Sequence, residues 1–203
     1  MMNRRERGNR ADVALINTAG REIQCKIVYY GIGQSGKTSN VQYIHQHSPQ
    51  GARGQLLSVA TEQERTLFFD LLPLDLGLVH GFRVRFHLYT VPGQIRYERT
   101  RVAVLQGADG VVFVADSRRD RLEENFGCIV ELEANMQALR RDLAEFPLMM
   151  QWNKRDLPDA LSVPVLERYL NRRGVPSIEA TAVQGIGVFP TLRTICKLVM
   201  ARL

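Results

Sequence analysis

The chain has 203 residues, 45% hydrophobic and 24% charged, with 27 Lys and Arg against 21 Asp and Glu for a net charge of +6. That size and apolar content suit one α/β domain with a full core, and no 20-residue apolar span, signal-peptide core or lipidation motif occurs, so a soluble cytoplasmic protein is expected. Three scattered cysteines, Cys25, Cys128 and Cys196, lack metal-ligand spacing and argue against a disulfide scaffold or a structural zinc site.

Residues 1–20 carry Arg4, Arg5, Arg7 and Arg10, interrupted by Glu6. Such a polar, arginine-containing end reads as a disordered tail. A weak contact with membrane or nucleic acid through this basic segment is the lesser reading. From residue 21 to 203 strand-like apolar runs alternate with helical periodicity, the pattern of a parallel or mixed sheet covered by helices. Strands are expected near 23–30, 67–73, 83–90, 111–115, 148–152 and 177–180, with helices between and after them. The last helix carries Phe189, Leu192, Ile195, Cys196 and Val199 on one face, a core stripe.

Directly after the first strand, Gly31-Ile32-Gly33-Gln34-Ser35-Gly36-Lys37-Thr38 fits G-x-x-x-x-G-K-[ST]. Its glycines let backbone N–H groups close around phosphates, Lys37 supplies charge, and Thr38 offers a hydroxyl to Mg²⁺. The following helix opens at Lys37-Thr38, and Ser39 in its first turn is counted among the nucleotide-binding residues. The next chemically loaded stretch is Ala60-Thr61-Glu62-Gln63-Glu64-Arg65-Thr66-Leu67-Phe68-Phe69-Asp70. Thr66 is a candidate ligand for Mg²⁺ and the γ-phosphate. Arg65 is either an arginine finger supplied in cis or a surface ion-pair partner of Glu62 or Glu64, and the residues alone leave those two readings open.

After the strand that ends at Tyr89 comes Thr90-Val91-Pro92-Gly93-Gln94, where P-loop GTPases carry D-x-x-G-Q. Gly93 can donate its N–H to the γ-phosphate, and Gln94 is placed to orient the attacking water. Thr90 replaces the Asp that normally holds a Mg²⁺-bound water, so a neutral hydroxyl stands where a charge is expected and the metal's surroundings are altered. Farther on, Asn153-Lys154-Arg155-Asp156 fits the N-K-x-D pattern. Asp156 can accept from guanine N1–H and N2–H₂, which adenine lacks, while Asn153 can reach N7 and support the loop. Together the two motifs imply GTP and GDP as ligands and count against an ATP-dependent enzyme.

The run A-T-E-x-E-R-T-L-F-F-D, the strand F-H-L-Y-T-V-P-G-Q and the string N-K-R-D-L-P-D-A resemble the MglA-type bacterial Ras-like GTPases, from about Glu22 to the C-terminus. The resemblance implies a Ras-like P-loop NTPase fold over residues 21–203, with a six-stranded, mostly parallel sheet, one antiparallel edge strand and about five helices. It implies an Mg²⁺-dependent GTPase switch of cell polarity and motility, in which Arg65 is the intrinsic finger, Thr66 the switch threonine and Gln94 the water-positioning residue. It also implies a roadblock/LC7-type, MglB-like homodimer as activator, and polarity or motility proteins as effectors. Glu179-Ala180-Thr181-Ala182 resembles the loop that meets guanine O6, with Thr181 and Ala182 in the contacting positions. Ile32, Gln34, Trp152 and the long basic extension depart from the family pattern. The alternative function is a slow or inactive guanine-nucleotide-binding scaffold, favoured only by Thr90.

Overall fold

The computed structural model describes residues 14–59, 69–93 and 98–203. Arg65, Thr66 and Gln94, and all but seven residues of the 1–20 segment, lie outside them. In chain order the described elements are β1 Leu15–Asn17, β2 Glu22–Tyr30, α1 Lys37–His47, β3 Leu57–Val59, β4 Phe69–Val79, β5 Phe82–Thr90, α2 Glu98–Leu105, β6 Gly110–Asp116, α3 Leu122–Ala138, β7 Leu148–Asn153, α4 Val163–Leu170, β8 Ser177–Glu179 and α5 Val188–Met200. The sheet runs β3-β4-β5-β2-β6-β7-β8, and β1 adds to β2.

From β5 through β8 every neighbouring pair is parallel, whereas β4 lies antiparallel to β5 and β3 to β4. The expected mostly parallel sheet with five helices is therefore present, and the six expected strands match β2 and β4 to β8 closely. The other two strands have three residues each, too short to show any alternation in sequence. β1 falls within the first twenty residues. On one edge β2 pairs with β5 from Glu22 onward, but on the other it meets β6 only from Ile27. The antiparallel pairing of Leu15 to Gln24 and Asn17 to Glu22 fills that open stretch of edge. β4 runs past its expected end because it forms a hairpin with β5, turned by His80 and Gly81 at φ 49° and 82°.

Two apolar layers sandwich the sheet, as the twofold periodicity of strands buried on both faces requires. On one face Ile27 and Tyr29 of β2 join Leu72, Phe86, α1 Val41 and Ile44, and α5 Leu192 and Ile195. On the other, Val28 and Tyr30 join Phe113, Trp152, α3 Leu132 and α4 Leu166. The stripe on α5 is core, as expected. Trp152, unusual beside N-K-x-D, is fully buried and its indole N–H donates to Glu167 of α4 at 3.1 Å. Among the described residues no helix is long and apolar enough to cross a membrane.

Candidate functional site

The parallel strands β2, β5, β6 and β7 all deliver their C-terminal ends to one edge of the sheet, where doubly wound folds collect ligands. The loop 31–36 leaves β2 there and turns into α1. Gly31 and Gly36 have φ of 143° and 104°, and a Cβ on them would lie 2.3 Å from the Val114 carbonyl oxygen and 2.0 Å from Asn153 Nδ2. Gln34 is exposed at φ 60°. Gly33 differs: a Cβ there would approach nothing nearer than the Gly93 oxygen at 3.9 Å, so the surrounding protein leaves it room. Gly93 has none, since its Cβ would lie 2.2 Å from Gly33 N. The loop after β5 thus rests on the phosphate-type loop, backbone against backbone.

Lys37 is 6% exposed, and its ammonium donates to the carbonyls of Gly31 at 2.9 Å and Ile32 at 2.6 Å. Burial pushes its pKa down to about 8. Ser35 Oγ is buried with no hydrogen-bond partner among the described residues. A buried cation whose hydrogen bonds among the described residues go to carbonyls, a hydroxyl without a partner among them and a helix N-terminus facing the same loop together fit an anion such as a phosphate group.

Beside this loop stands Asp70. Thr38 Oγ1 donates to Asp70 Oδ2 at 2.7 Å, and Thr90 Oγ1 donates to the same oxygen at 2.9 Å. Ser58 Oγ donates to Oδ1 at 2.7 Å, and the Asp70 N–H donates to Thr90 Oγ1 at 2.8 Å. Asp70 is only 3% exposed. A carboxylate from the neighbouring strand thus stands beside the Thr90 hydroxyl, in contact with the hydroxyl that the sequence assigns to Mg²⁺. Sequence reasoning noted Asp70 only as the end of a motif. Its signal was the alternation of β4, where Asp70, Leu72 and Leu74 are the inward, buried positions, so an acid sits where an apolar residue belongs. A hydroxyl beside a carboxylate is a hard oxygen donor set of the kind Mg²⁺ takes.

At the far end of the edge, Asn153 donates from Nδ2 to the Ser35 carbonyl at 2.7 Å and accepts from the Ala182 N–H at 2.9 Å. Its amide braces the phosphate-type loop against the loop after β8, which is the supporting role expected of it. Lys154, at φ 66°, donates to Asp116 Oδ2 at 2.6 Å, and Arg118 Nη2 donates to that oxygen at 2.8 Å. Burial raises the Asp116 pKa, but the hydrogen bonds from Arg118 and Lys154 outweigh it and hold the carboxyl below the usual carboxylate range. Asp156 is exposed and has no hydrogen bond or ion pair among the described residues, which leaves its acceptors open to a ligand. The Thr181 N–H donates to the Ile186 carbonyl and the Ala182 N–H to Asn153, so both backbone groups expected to face guanine O6 donate within the protein. Ser39 lies half-buried in the first turn of α1.

Comparison with known proteins agrees with this geometry. The family model of the ADP-ribosylation factor (Arf) family matches residues 13–197. The mutual gliding-motility protein MglA of Myxococcus xanthus is 49% identical over 94% of this chain and 98% of its own length. This chain belongs to the MglA-type Ras-like GTPases. More distant relatives are the ADP-ribosylation factor-like protein 4D of Mus musculus, 27% identical over 87% of this chain and 83% of its own, and the Ypt/Rab-type GTPase ypt7 of Pyricularia oryzae, 25% identical over 90% and 85%. As a member of this group the chain binds GTP and GDP with Mg²⁺ and hydrolyses GTP.

Proposed function

We propose that this MglA-type GTPase is a cytoplasmic switch of bacterial cell polarity or gliding motility, whose activator is a roadblock/LC7-type, MglB-like homodimer and whose effectors recognise the GTP state. The motility assignment rests on the 49% identity to the gliding-motility protein of Myxococcus xanthus. The observation that carries the nucleotide site is Asn153, which joins the backbone of Ser35 to that of Ala182 and so locks a phosphate loop and a base loop into one pocket. Residues 21–203 form the GTPase domain in this reading, with a basic N-terminal extension ahead of it.

In the proposed site Gly31, Gly33, Gln34, Ser35, Gly36, Lys37, Thr38 and Ser39 surround the phosphates, and Gly93 meets the γ-phosphate. Asn153, Lys154, Asp156, Thr181 and Ala182 frame the guanine. Thr38 and Thr66 offer hydroxyls to Mg²⁺, with the Asp70 carboxylate beside Thr38 in the place of the residue that Thr90 replaces. When bound, Mg²⁺ neutralises charge on the β- and γ-phosphate oxygens. Arg65 and Gln94 act in hydrolysis, Arg65 on the charge developing on the transferred group and Gln94 on the water.

Competition of GTP and ATP for bound fluorescent GDP tests the base reading, since the open Asp156 carboxylate finds its donors only on guanine. Equal competition by ATP overturns it. Single-turnover hydrolysis with and without a roadblock-type homodimer tests the partner. An unchanged rate with the homodimer present removes that activator from the proposal.

A further inference from the structure

One carboxylate on α3 is tied to both walls of the γ-phosphate corner. Glu131 Oε1 accepts from the phenol of Tyr30 at 3.0 Å and from Arg101 Nε at 2.6 Å. Tyr30 is the last residue of β2, directly before Gly31, and is fully buried. Arg101 lies on α2, which follows the loop after β5, and is 2% exposed. Its Nη1 donates to the Pro92 carbonyl at 3.4 Å, and Pro92 precedes the glycine whose backbone rests on Gly33. Asn135, one turn further along α3, donates to both Glu131 and the Tyr30 oxygen at 3.2 Å, so the carboxylate is held from a second side.

From this arrangement we infer that Arg101 and Glu131 are positioning residues for nucleotide-state sensing. Through Pro92 the pair sets where Gly93 stands against Gly33, and through Tyr30 it ties that setting to the root of the phosphate loop. A guanidinium with almost no solvent contact costs desolvation energy that its partner must offset. At 3.4 Å the contact to Pro92 is longer than the 2.6 Å bond to Glu131. The Arg101–Glu131 and Tyr30–Glu131 bonds anchor that contact to α3, which is the reference against which Gly93 is set. The ligand difference that this arrangement senses is the terminal phosphate, present in GTP and absent in GDP.

The inference rests on Gly93 meeting the γ-phosphate, so its test separates the two nucleotides. Dissociation constants of fluorescent GDP and of a fluorescent non-hydrolysable GTP analogue are measured for the parental chain, Glu131→Gln, Arg101→Lys and the double variant, with single-turnover hydrolysis and thermal unfolding alongside. Glu131→Gln keeps the side-chain shape and Arg101→Lys keeps the charge, so at least one folded variant is expected. GDP affinity should stay within about threefold of parental, while analogue affinity and hydrolysis rate fall roughly 3- to 30-fold, and the double variant should be little worse than either single one. Equal losses for both nucleotides, or parental behaviour of a folded variant, overturn the inference and leave the pair a structural strut. The parental chain's own GDP and analogue binding tests the site reading separately, so failure there is distinguishable from failure of the pair.

Discussion

Replacing Asp70 by Asn keeps the outline of the side chain but removes the charge beside the Thr38 and Thr90 hydroxyls. Residues that orient a metal's surroundings are typically worth 10- to 100-fold in metal affinity, so Asp70→Asn should raise the Mg²⁺ concentration needed to retain GDP by roughly that factor. A Mg²⁺ titration of nucleotide release checks it, and adding Thr90→Asp should recover part of the loss. Lys37 carries a pH signature. Its pKa in the fold, about 8, lies below the 10.5 of a free lysine, so the unfolded chain binds more protons between those values and stability rises with pH across them. Burial pushes the thiols of Cys25, Cys128 and Cys196 from 9.0 up to about 12, so above pH 9 the unfolded chain loses protons that the fold retains, and stability falls. Urea unfolding of nucleotide-free protein should therefore show a rise between pH 8 and 9 that Lys37→Met flattens. At this scale the sequence is legible where a motif carries its own chemistry, as with the buried Lys37 of the glycine loop. It is not legible where distant residues meet, because nothing local in T-V-P-G-Q says that a carboxylate of β4 bonds to its threonine.

Elements show the same division. β2, β5, β6, β7 and β8 were legible to within about two residues because long apolar runs bounded by turn residues leave little choice of state. β1 and β3 were not, since a three-residue strand exists only through its partner's vacant edge. What sequence patterns miss altogether is the polar joint between elements. Asn40 of α1, Gln151 of β7 and Thr191 of α5 are fully buried, with reciprocal amide bonds at 2.8 and 2.9 Å and a third from Gln151 to Thr191 at 2.9 Å. Asn40 also donates to the Gly36 carbonyl and Thr191 to that of Gly187, so the joint spans both ends of the nucleotide edge. Gln151→Leu would leave an amide and a hydroxyl buried with fewer partners, at about 1–3 kcal/mol for each group. Urea unfolding should reveal a loss of roughly 2–4 kcal/mol, together with faster GDP release.

For the molecule as a whole, the proposed hydrolysis draws on residues next to β4 and β5 in the chain rather than on any single element. In sequence the run containing Arg65 and Thr66 ends where β4 begins at Phe69, and Gln94 follows Gly93, whose backbone rests on Gly33. Membership of the MglA-type GTPases is the ground on which Arg65 is proposed as the finger and not as a surface ion-pair residue. If Arg65 and Gln94 serve one charge-developing step, their losses do not add. Arginine fingers contribute about 10³–10⁵ in rate, so Arg65→Ala should nearly abolish hydrolysis stimulated by a roadblock-type homodimer while GTP affinity stays within a few-fold. Gln94→Leu should do the same, and the double variant should be little slower than either single one. Single-turnover rates for the four proteins, each with and without the homodimer, complete the cycle. Normal stimulated hydrolysis by Arg65→Ala would make Arg65 a surface residue and require the positive charge to come from the partner.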